Sequence, residues 1–311
     1  MATLLVENPA GLTHEMPPGH PEQIARLAAI SEALAAPEFA ALIRGEAPMA
    51  AEADLRLAHP PDHIAAIRGA IPKAGLAALD ADTSLSPGSW EAALKGVGGC
   101  LHAVDQVLSG AVRNAFVATR PPGHHAEGSR PMGFCLFGNI AIAAKHALDR
   151  HGLKRVAVVD FDVHHGNGTQ DLLWEEPRAL FISSHQMPLY PGSGAPSERG
   201  GSDNVVNLPL GPGTGGPQMR QIVQDRMLPA LARFAPELVL ISAGFDAHRA
   251  DPLANLNWET EDFAWITREI CVFAAAHCDG RVVSTLEGGY DLPALAASVA
   301  THVAVLMEQN G

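Results

Sequence analysis

The feature that most constrains this chain is a set of short apolar runs, most of which stop in a polar, glycine-rich cluster. Runs of Val, Ile, Leu and Phe at 115–119, 155–161, 179–183, 238–242 and 281–285 have the length and residue types of buried strands. Longer Ala-rich amphipathic stretches separate them, and the periodicity predicts helices over 21–35, 60–70, 89–108, 139–151, 219–234, 260–276 and 291–307. Strands alternating with helices build a parallel sheet covered by helices, so the expected class is α/β. Ser89 and Thr260 suit helix N-caps, and Gly110 and Gly152 suit helix stops. No repeat or low-complexity linker divides the 311 residues, which predicts one domain over 1–311.

Composition narrows the function classes. With 34 acidic against 21 basic residues the net charge is −13, which repels nucleic acid and leaves no basic stripe for phosphates. The first twenty residues carry no basic leader before an apolar run, and no window approaches the roughly 18 apolar residues of a membrane span. A cytoplasmic protein without membrane or nucleic-acid partners is expected, and homo-oligomerisation stays open. Cys100, Cys135, Cys271 and Cys278 form no CxxC pair, so neither a cysteine zinc site nor a disulfide framework is indicated, and all four read as buried thiols. Of fifteen histidines, His59, His63, His102, His146, His151, His277 and His302 lie in Ala-rich or helical surroundings and read as structural.

Chemistry gathers where the strands end. After 115–119 comes Arg120-Pro-Pro-Gly-His-His125, and after 155–161 comes Asp162-Val-His-His-Gly-Asn167. Ala243-Gly-Phe-Asp246 follows 238–242, and Leu286-Glu-Gly-Gly-Tyr290 follows 281–285. The carboxyl ends of parallel strands share one edge, where ligands bind, so the four clusters are expected to converge. Asp160, Asp162 and His164 occupy alternate positions and, in extended backbone, point the same way. Two ligands from one strand end and a third from another, with a position left for water, describe a catalytic zinc site. Asp246 is the natural third ligand. Asp162 or His164 alone would read as a helix-capping acid or a histidine satisfied by backbone; the full cluster favours the metal.

The His124-His125 pair suits proton transfer, because imidazole titrates near neutrality. Each ring needs a partner for its other nitrogen, and Asp160 and Asn167 are the candidates. Tyr290, in a Gly-Gly-Tyr turn, offers a phenol to a developing oxyanion, and glycines let such a loop approach substrate closely.

The segments RPPGHHA (120–126), GFCLFGNIAIAA (133–144), VDFDVHHGNGTQ (159–170), SAGFDAHRADPL (242–253) and LEGGYD (286–291) resemble the successive signatures of the histone deacetylase and acetylpolyamine amidohydrolase superfamily. They occur in the family's order, and the segment 14–22 is similar to the N-terminal segment of class II members. The resemblance implies an arginase-like α/β fold, with an eight-stranded, mainly parallel sheet flanked by helices. It implies one catalytic zinc (Zn2+) held by Asp162, His164 and Asp246. It further implies His125 as general base and acid, His124 paired with Asp160 as transition-state support, and Tyr290 on the oxyanion. Asn167 stands where many class I members carry Asp; class II members share it, and a neutral partner should leave the pKa of His125 less elevated. A structural potassium (K+) site would use Asp160, Ser183 and Ser184 with Asp162 and His164, several through backbone oxygens.

A narrow tunnel for an aliphatic, lysine-like stem is also implied, with Phe134 and Tyr190 as aromatic walls and Gly133 and Gly289 beside the substrate. Tyr190 replaces the commoner Phe. Asp82 matches a rim position that contacts substrate backbone, and a plain surface acid is an equal reading there. Arg26 resembles the basic residue near the acetate exit. At Leu253 polyamine-selective relatives can carry an acid, so an apolar residue tilts the expectation toward acetyl-lysine or related acyl-amines and away from acetylpolyamines.

The activity implied is zinc-dependent hydrolysis of an acyl-amide, releasing acetate and a free amine. Two other classes compete. Gly211-Pro-Gly-Thr-Gly-Gly216 satisfies GxGxxG, follows strand-like 204–210 and precedes a helix, as in an NAD-binding Rossmann site. Against it, Pro212 stiffens the turn and no acid ends a following strand at the expected distance. A catalytically inactive acyl-lysine-binding module is opposed by intact His124, His125 and Tyr290.

Overall fold

The structure, a computed structural model, describes residues 2–309. Its strands are β1 (Thr3–Glu7), β2 (Ile43–Glu46), β3 (Ala77–Ala78), β4 (Ser84–Leu85), β5 (Asn114–Ala118), β6 (Val156–Asp160), β7 (Ala179–Gln186), β8 (Val205–Leu210), β9 (Leu238–Ala243) and β10 (Val282–Leu286). The short β3 and β4 pair antiparallel; the other eight form one sheet in the order β2-β1-β5-β10-β9-β6-β7-β8. Every neighbouring pair in that sheet is parallel. The α-helices are α1 (Ala25–Ala33), α2 (Glu52–Leu55), α3 (Pro61–Ala70), α4 (Ser89–Leu108), α5 (Asn139–Asp149), α6 (Asn167–Leu173), α7 (Gly216–Ile222), α8 (Leu228–Phe234), α9 (Thr260–His277) and α10 (Leu292–Glu308).

Alternate strand residues feed opposite faces of the sheet. Leu5, Phe116, Val159, Ile182 and Ile241 join a core with Leu27 of α1, Phe263 and Ile270 of α9, and Leu295 and Val299 of α10. Leu4, Val6, Val117, Val158, Phe181 and Leu240 join a second core with Cys100 and Val104 of α4 and Ile140 and Ala144 of α5. Burial on both faces is why these strands read as near-continuous apolar runs. Each fully buried side chain of the size of Phe116 contributes about 1.5–3 kcal/mol.

The five predicted strands are all present, within a residue at most ends, although β7 continues to Gln186. β1 and β2 lay outside the expected set. β2, Ile-Arg-Gly-Glu, is a largely exposed edge strand, so it carries no apolar alternation to recognise. Helix α1 starts at Ala25 rather than 21, and Glu22, ahead of it, turns inward onto Arg120. The stretch 219–234 contains a π-helical turn, Val223–Met227, between α7 and α8. Pro229 has no N–H for the carbonyl of Asp225, and the wider turn accommodates that.

The two expected N-caps shift by one residue. Gly88 caps α4, and Ser89 inside the first turn accepts the Ser86 N–H at 2.7 Å. Glu259 caps α9, its N–H bonded to the Asp262 carboxylate at 3.0 Å. Gly110 and Gly152 follow α4 and α5 with φ of 75° and 70°, as helix stops require. All four cysteines are free and buried. Among the described residues no helix is long and apolar enough to cross a membrane.

What positions the site is the order of the central strands. β5, β10, β9 and β6 are consecutive neighbours, because the chain leaves two places between β5 and β6 that β9 and β10 fill later. The four polar strand-end clusters therefore stand side by side on one edge.

Candidate active site

At the end of β6, Asp160 Oδ1 accepts the N–H of Asp162 at 3.1 Å and shapes the turn that follows. Asp162 Oδ1 then accepts the His164 N–H, and its Oδ2 the Gly288 N–H, both at 2.8 Å. From beyond β9, Asp246 Oδ1 accepts the Val163 N–H at 2.9 Å. These bonds aim Asp162, His164 and Asp246 at one point, with one ligand-capable atom of each within 4.8 Å of the others. His164 Nδ1 stands 3.2 Å from Asp162 Oδ1 and 3.1 Å from Asp246 Oδ2, and all three residues are buried.

Two carboxylates packed on one imidazole leave excess negative charge out of water, which a divalent cation neutralises. Burial opposes a proton on His164, yet its bonds to Asp162 and Asp246 raise its pKa to about 10, so the cage strongly favours positive charge. Glycines keep the cage open: a Cβ on Gly244 would collide with the Asp162 carboxylate, and one on Gly288 with Asp246 and Asp162. A set of two carboxylates and one imidazole fits zinc in a catalytic rather than a closed structural arrangement.

His124 and His125 follow β5 with ring centroids 4.0 Å apart, and their surroundings differ. His124 Nδ1 is 3.0 Å from Asp160 Oδ2, and its Nε2 lies 3.8 Å from Asp162 Oδ2. Burial works against its charge, but Asp162 and Asp160 hold its pKa well above the ordinary value. His125 Nδ1 is 2.7 Å from Asn167 Oδ1. Asn167 Nδ2 donates to Glu127 Oε1 at 2.7 Å, which turns the amide oxygen toward His125 and makes His125 Nδ1 the donor. Its Nε2 is then the basic nitrogen. Burial, with the positive neighbours His124 and His164, pushes His125 well below the ordinary value, further than a neutral Asn167 alone implied. Adjacent titratable groups with pKa values driven apart separate the two roles.

Tyr290 is held by Gly289 and Arg26 together with acids, Glu22, Asp251 and Glu287, to which the sequence assigned no role. Gly289 has φ of 119°, a conformation that glycine adopts readily, and its carbonyl accepts Arg26 Nε at 2.7 Å. Arg26 also donates to the Glu287 carbonyl, and its guanidinium carbon lies 4.9 Å from the Tyr290 ring centroid. Glu22 pairs with Arg26 at 3.2 Å and with Arg120, all three fully buried. The Tyr290 N–H donates to Asp251 Oδ2 at 2.7 Å, while Asp251 Oδ1 accepts the Leu253 N–H at 3.0 Å. Glu287 Oε2 accepts the N–H groups of Gly123 and His124 at 2.7 and 3.2 Å, and Oε1 accepts the Ser242 hydroxyl at 3.1 Å. Burial pushes the carboxyls of Glu287 and Asp251 each up to about 7. Glu22, Arg120, Asp251 and Glu287 all stand inside segments quoted from the sequence. Their partners are mostly backbone groups or ions of distant segments, a relation that no local motif displays.

The expected wall residues gather around the histidines. The Tyr190 ring stands edge-on to His125 at 5.2 Å between centroids, and Phe134 meets Tyr290 at 5.9 Å. Gly133 has φ of 55°, and a Cβ there would collide with the His125 ring. Thr83 links Asp82 to this wall, donating to Asp82 Oδ1 at 3.0 Å and accepting the Phe134 N–H at 3.1 Å. Leu253 is half-buried and tied to Tyr290 through Asp251. Arg26, expected at an acetate exit, is packed against Tyr290 as a clamp on its loop. Deeper in, Asp160 pairs in register with Ser183, whose hydroxyl is 2.9 Å from His185 Nδ1. The Ser184 hydroxyl is buried without a hydrogen-bond partner.

The GxGxxG segment lies apart, between the edge strand β8 and α7. Gly213 N–H bonds to the Asn255 carbonyl at 2.6 Å and Thr214 N–H to the Gly211 carbonyl at 3.1 Å. Amides engaged in this way do not cradle a pyrophosphate, and β8 borders no crevice between diverging strands.

A split-basicity histidine pair and a phenol beside a cation-seeking cage are equipped to polarise an amide and move a proton to its nitrogen, which is hydrolase chemistry. The family described as histone deacetylase domain matches residues 20–306, and the chain belongs to that family. It is a hydrolase of amide bonds in acylated amines. Histone deacetylase 14, chloroplastic, of Arabidopsis thaliana is 38% identical over 330 residues, covering 99% of this chain and 78% of that protein. Polyamine deacetylase HDAC10 of Homo sapiens is 39% identical over 279 residues, covering 85% of this chain and 41% of that protein. Among solved structures, the crystal structure of the HDA15 HD domain aligns with a TM-score of 0.93 at 33% identity, over 99% of this chain and 88% of that one.

Proposed function

We propose that residues 1–311 form one catalytic domain, a zinc-dependent deacetylase that hydrolyses acetyl-lysine or a related acylated amine to acetate and free amine. The observation that carries this reading is the meeting of ligand-capable atoms of Asp162, His164 and Asp246 within 4.8 Å of one another, beside His125 and the Gly288 amide two residues before Tyr290. Zinc bound by these three side chains supplies Lewis acidity for the amide carbonyl and a more acidic water.

His125, kept neutral by burial and by the cationic His124, takes a proton from the attacking water at Nε2 while Asn167 fixes its Nδ1–H. It then hands that proton to the leaving nitrogen. His124, held cationic by Asp162 and Asp160, offsets the negative charge that builds up nearby. Tyr290 donates to the oxyanion; burial pushes its pKa well up, so the phenol keeps its proton. Arg26 and Asp251 position that phenol by gripping its loop from both sides, and Arg26 borders the path by which acetate leaves.

Phe134 and Tyr190 grip an aliphatic stem, Gly133 and Gly289 leave room for it, and Asp82 meets substrate backbone at the rim. Asp160, Ser183 and Ser184, with the backbones of Asp162 and His164, hold a structural potassium ion. The unpartnered Ser184 hydroxyl supports that site, since a buried oxygen without a donor or cation is costly.

Leu253 supports acetyl-lysine as the substrate class, because an apolar residue there gives a cationic chain no local attraction. Acetylpolyamine is the second reading, favoured by the net charge of −13 and by the similarity to a protein named polyamine deacetylase. Turnover of acetyl-lysine peptides, acetylputrescine, acetylspermidine and longer acyl-lysines by the zinc-loaded protein separates the two. The expected kcat/KM is higher on acetyl-lysine peptides than on acetylspermidine, and Leu253→Glu should move the ratio toward the polyamine. A wild-type preference for acetylspermidine of about tenfold, roughly 1.4 kcal/mol, overturns the choice.

A further inference from the structure

Away from the catalytic edge, α4 and α5 bring three more metal-capable side chains together. Asp105 lies on α4, His146 in the last turn of α5, and His151 two residues beyond its end. One ligand-capable atom of each lies within 4.8 Å of the other two. Both imidazole Nε2 atoms stand 2.7 Å from the same oxygen, Asp105 Oδ1, with ring centroids 5.2 Å apart and the planes at 70°.

A carboxylate offers two oxygens and about four lone-pair directions, so two histidines held only by hydrogen bonds have room to separate. Here both close on one point. Lengthening each nitrogen–oxygen distance by roughly 0.6 Å would give the spacing of about 3.3 Å between ligands that metal bonds of 2.0–2.2 Å set in a tetrahedron. His146 Nδ1 is buried without a partner, so Nε2 is the nitrogen through which this ring is anchored. Solvent reaches the cluster: the side chains of Asp105, His151 and His146 are 46%, 31% and 12% exposed. A cation can therefore enter and keep water in its remaining position. Burial alone would raise the Asp105 pKa, but the hydrogen bonds to His146 and His151 hold it below the usual carboxylate range, so the oxygen is an anion.

The cluster is separate from the catalytic cage. α5 begins at Asn139, whose Nδ2 donates to the Pro121 carbonyl close to the histidine pair. His146 is seven residues further along, about 10 Å down the helix axis.

We propose that Asp105, His146 and His151 form a second divalent-cation site, for Zn2+ or a similarly borderline ion such as Ni2+ or Co2+, that ties the end of α5 to α4. A cation that binds only the folded chain raises its thermal stability by mass action.

Zinc binding by the full-length chain, followed by metal analysis and calorimetry, tests this. Wild type should bind two equivalents, one of which a brief chelator wash removes without loss of deacetylase activity. His151→Ala should bind one equivalent, keep wild-type turnover and lose most of the zinc-dependent rise in Tm. Asp105→Asn, which keeps an acceptor but removes the charge, should weaken the second equivalent at least tenfold. Because the zinc count rests partly on the proposed catalytic site, Asp246→Ala serves as the second arm: it should lose the tightly held equivalent and keep the loosely held one. Equal zinc uptake and equal Tm rise in wild type and His151→Ala would overturn the second site and leave the catalytic one standing. Loss of the loosely held equivalent in Asp246→Ala would overturn it as well.

Discussion

Tyr290 and His125 differ in when the reaction needs them, and their substitutions should differ accordingly. In the proposed mechanism the Tyr290 phenol matters most once negative charge develops on the carbonyl oxygen, so Tyr290→Phe should lower kcat by about 10²–10³ with little change in KM. An unchanged kcat in a folded variant would make Tyr290 a packing residue only. On the proposed assignment His125→Ala removes the proton carrier and His124→Ala only a fixed positive charge, so steady-state rates should fall further in the first; equal, modest losses would contradict it. These residues were legible because each stands in a contiguous strand-end motif. Asp251 and Glu287 stand in the same motifs, but their partners are the amides of Tyr290, Gly123 and His124, which the sequence does not place beside them.

Strands β5, β6, β7, β9 and β10 could be read from the sequence because both their faces are buried, whereas the exposed edge of β2 left nothing periodic to find. The start of α1 is not legible for a different reason: Glu22 is drawn into an ion pair with Arg120, nearly a hundred residues away, a partner that local propensity does not display. The pair makes a testable demand on pH. Burial would raise the Glu22 pKa, yet Arg120 and Arg26 hold it at about 2, below the ordinary 4.5. A depressed folded-state value stabilises fully above the unfolded pKa, and that contribution is lost as pH falls from about 4.5 through 2. Glu22→Gln strands two buried guanidinium groups and should cost about 3–5 kcal/mol in denaturant unfolding at pH 7. The gap from wild type should narrow as pH approaches 2. Equal stability at pH 7 would show that the carboxylate is not needed to hold Arg26 and Arg120.

At the scale of the whole molecule, function depends on an order that the chain does not display. Sequence order gives β5, β6, β9, β10, while the sheet places β10 and β9 between β5 and β6. That interleaving brings Asp246 and Tyr290 between the histidine pair and the Asp162–His164 turn. Composition and periodicity support a parallel sheet with clusters on one edge; which strands are neighbours comes only from the structure. The assembled edge is where the proposed chemistry stands or falls, and Asp246 tests it best, because it is contributed by a strand of its own. Zinc content and turnover should be measured on the same samples of wild type and Asp246→Ala, after a wash that strips loosely held ion. Wild type should keep one equivalent of zinc, lose activity on full chelation and regain it with zinc, whereas Asp246→Ala should lose both metal and turnover. Stoichiometric zinc with full activity in Asp246→Ala, or undiminished activity in the metal-free wild type, would contradict a zinc-dependent deacetylase built on Asp162, His164 and Asp246.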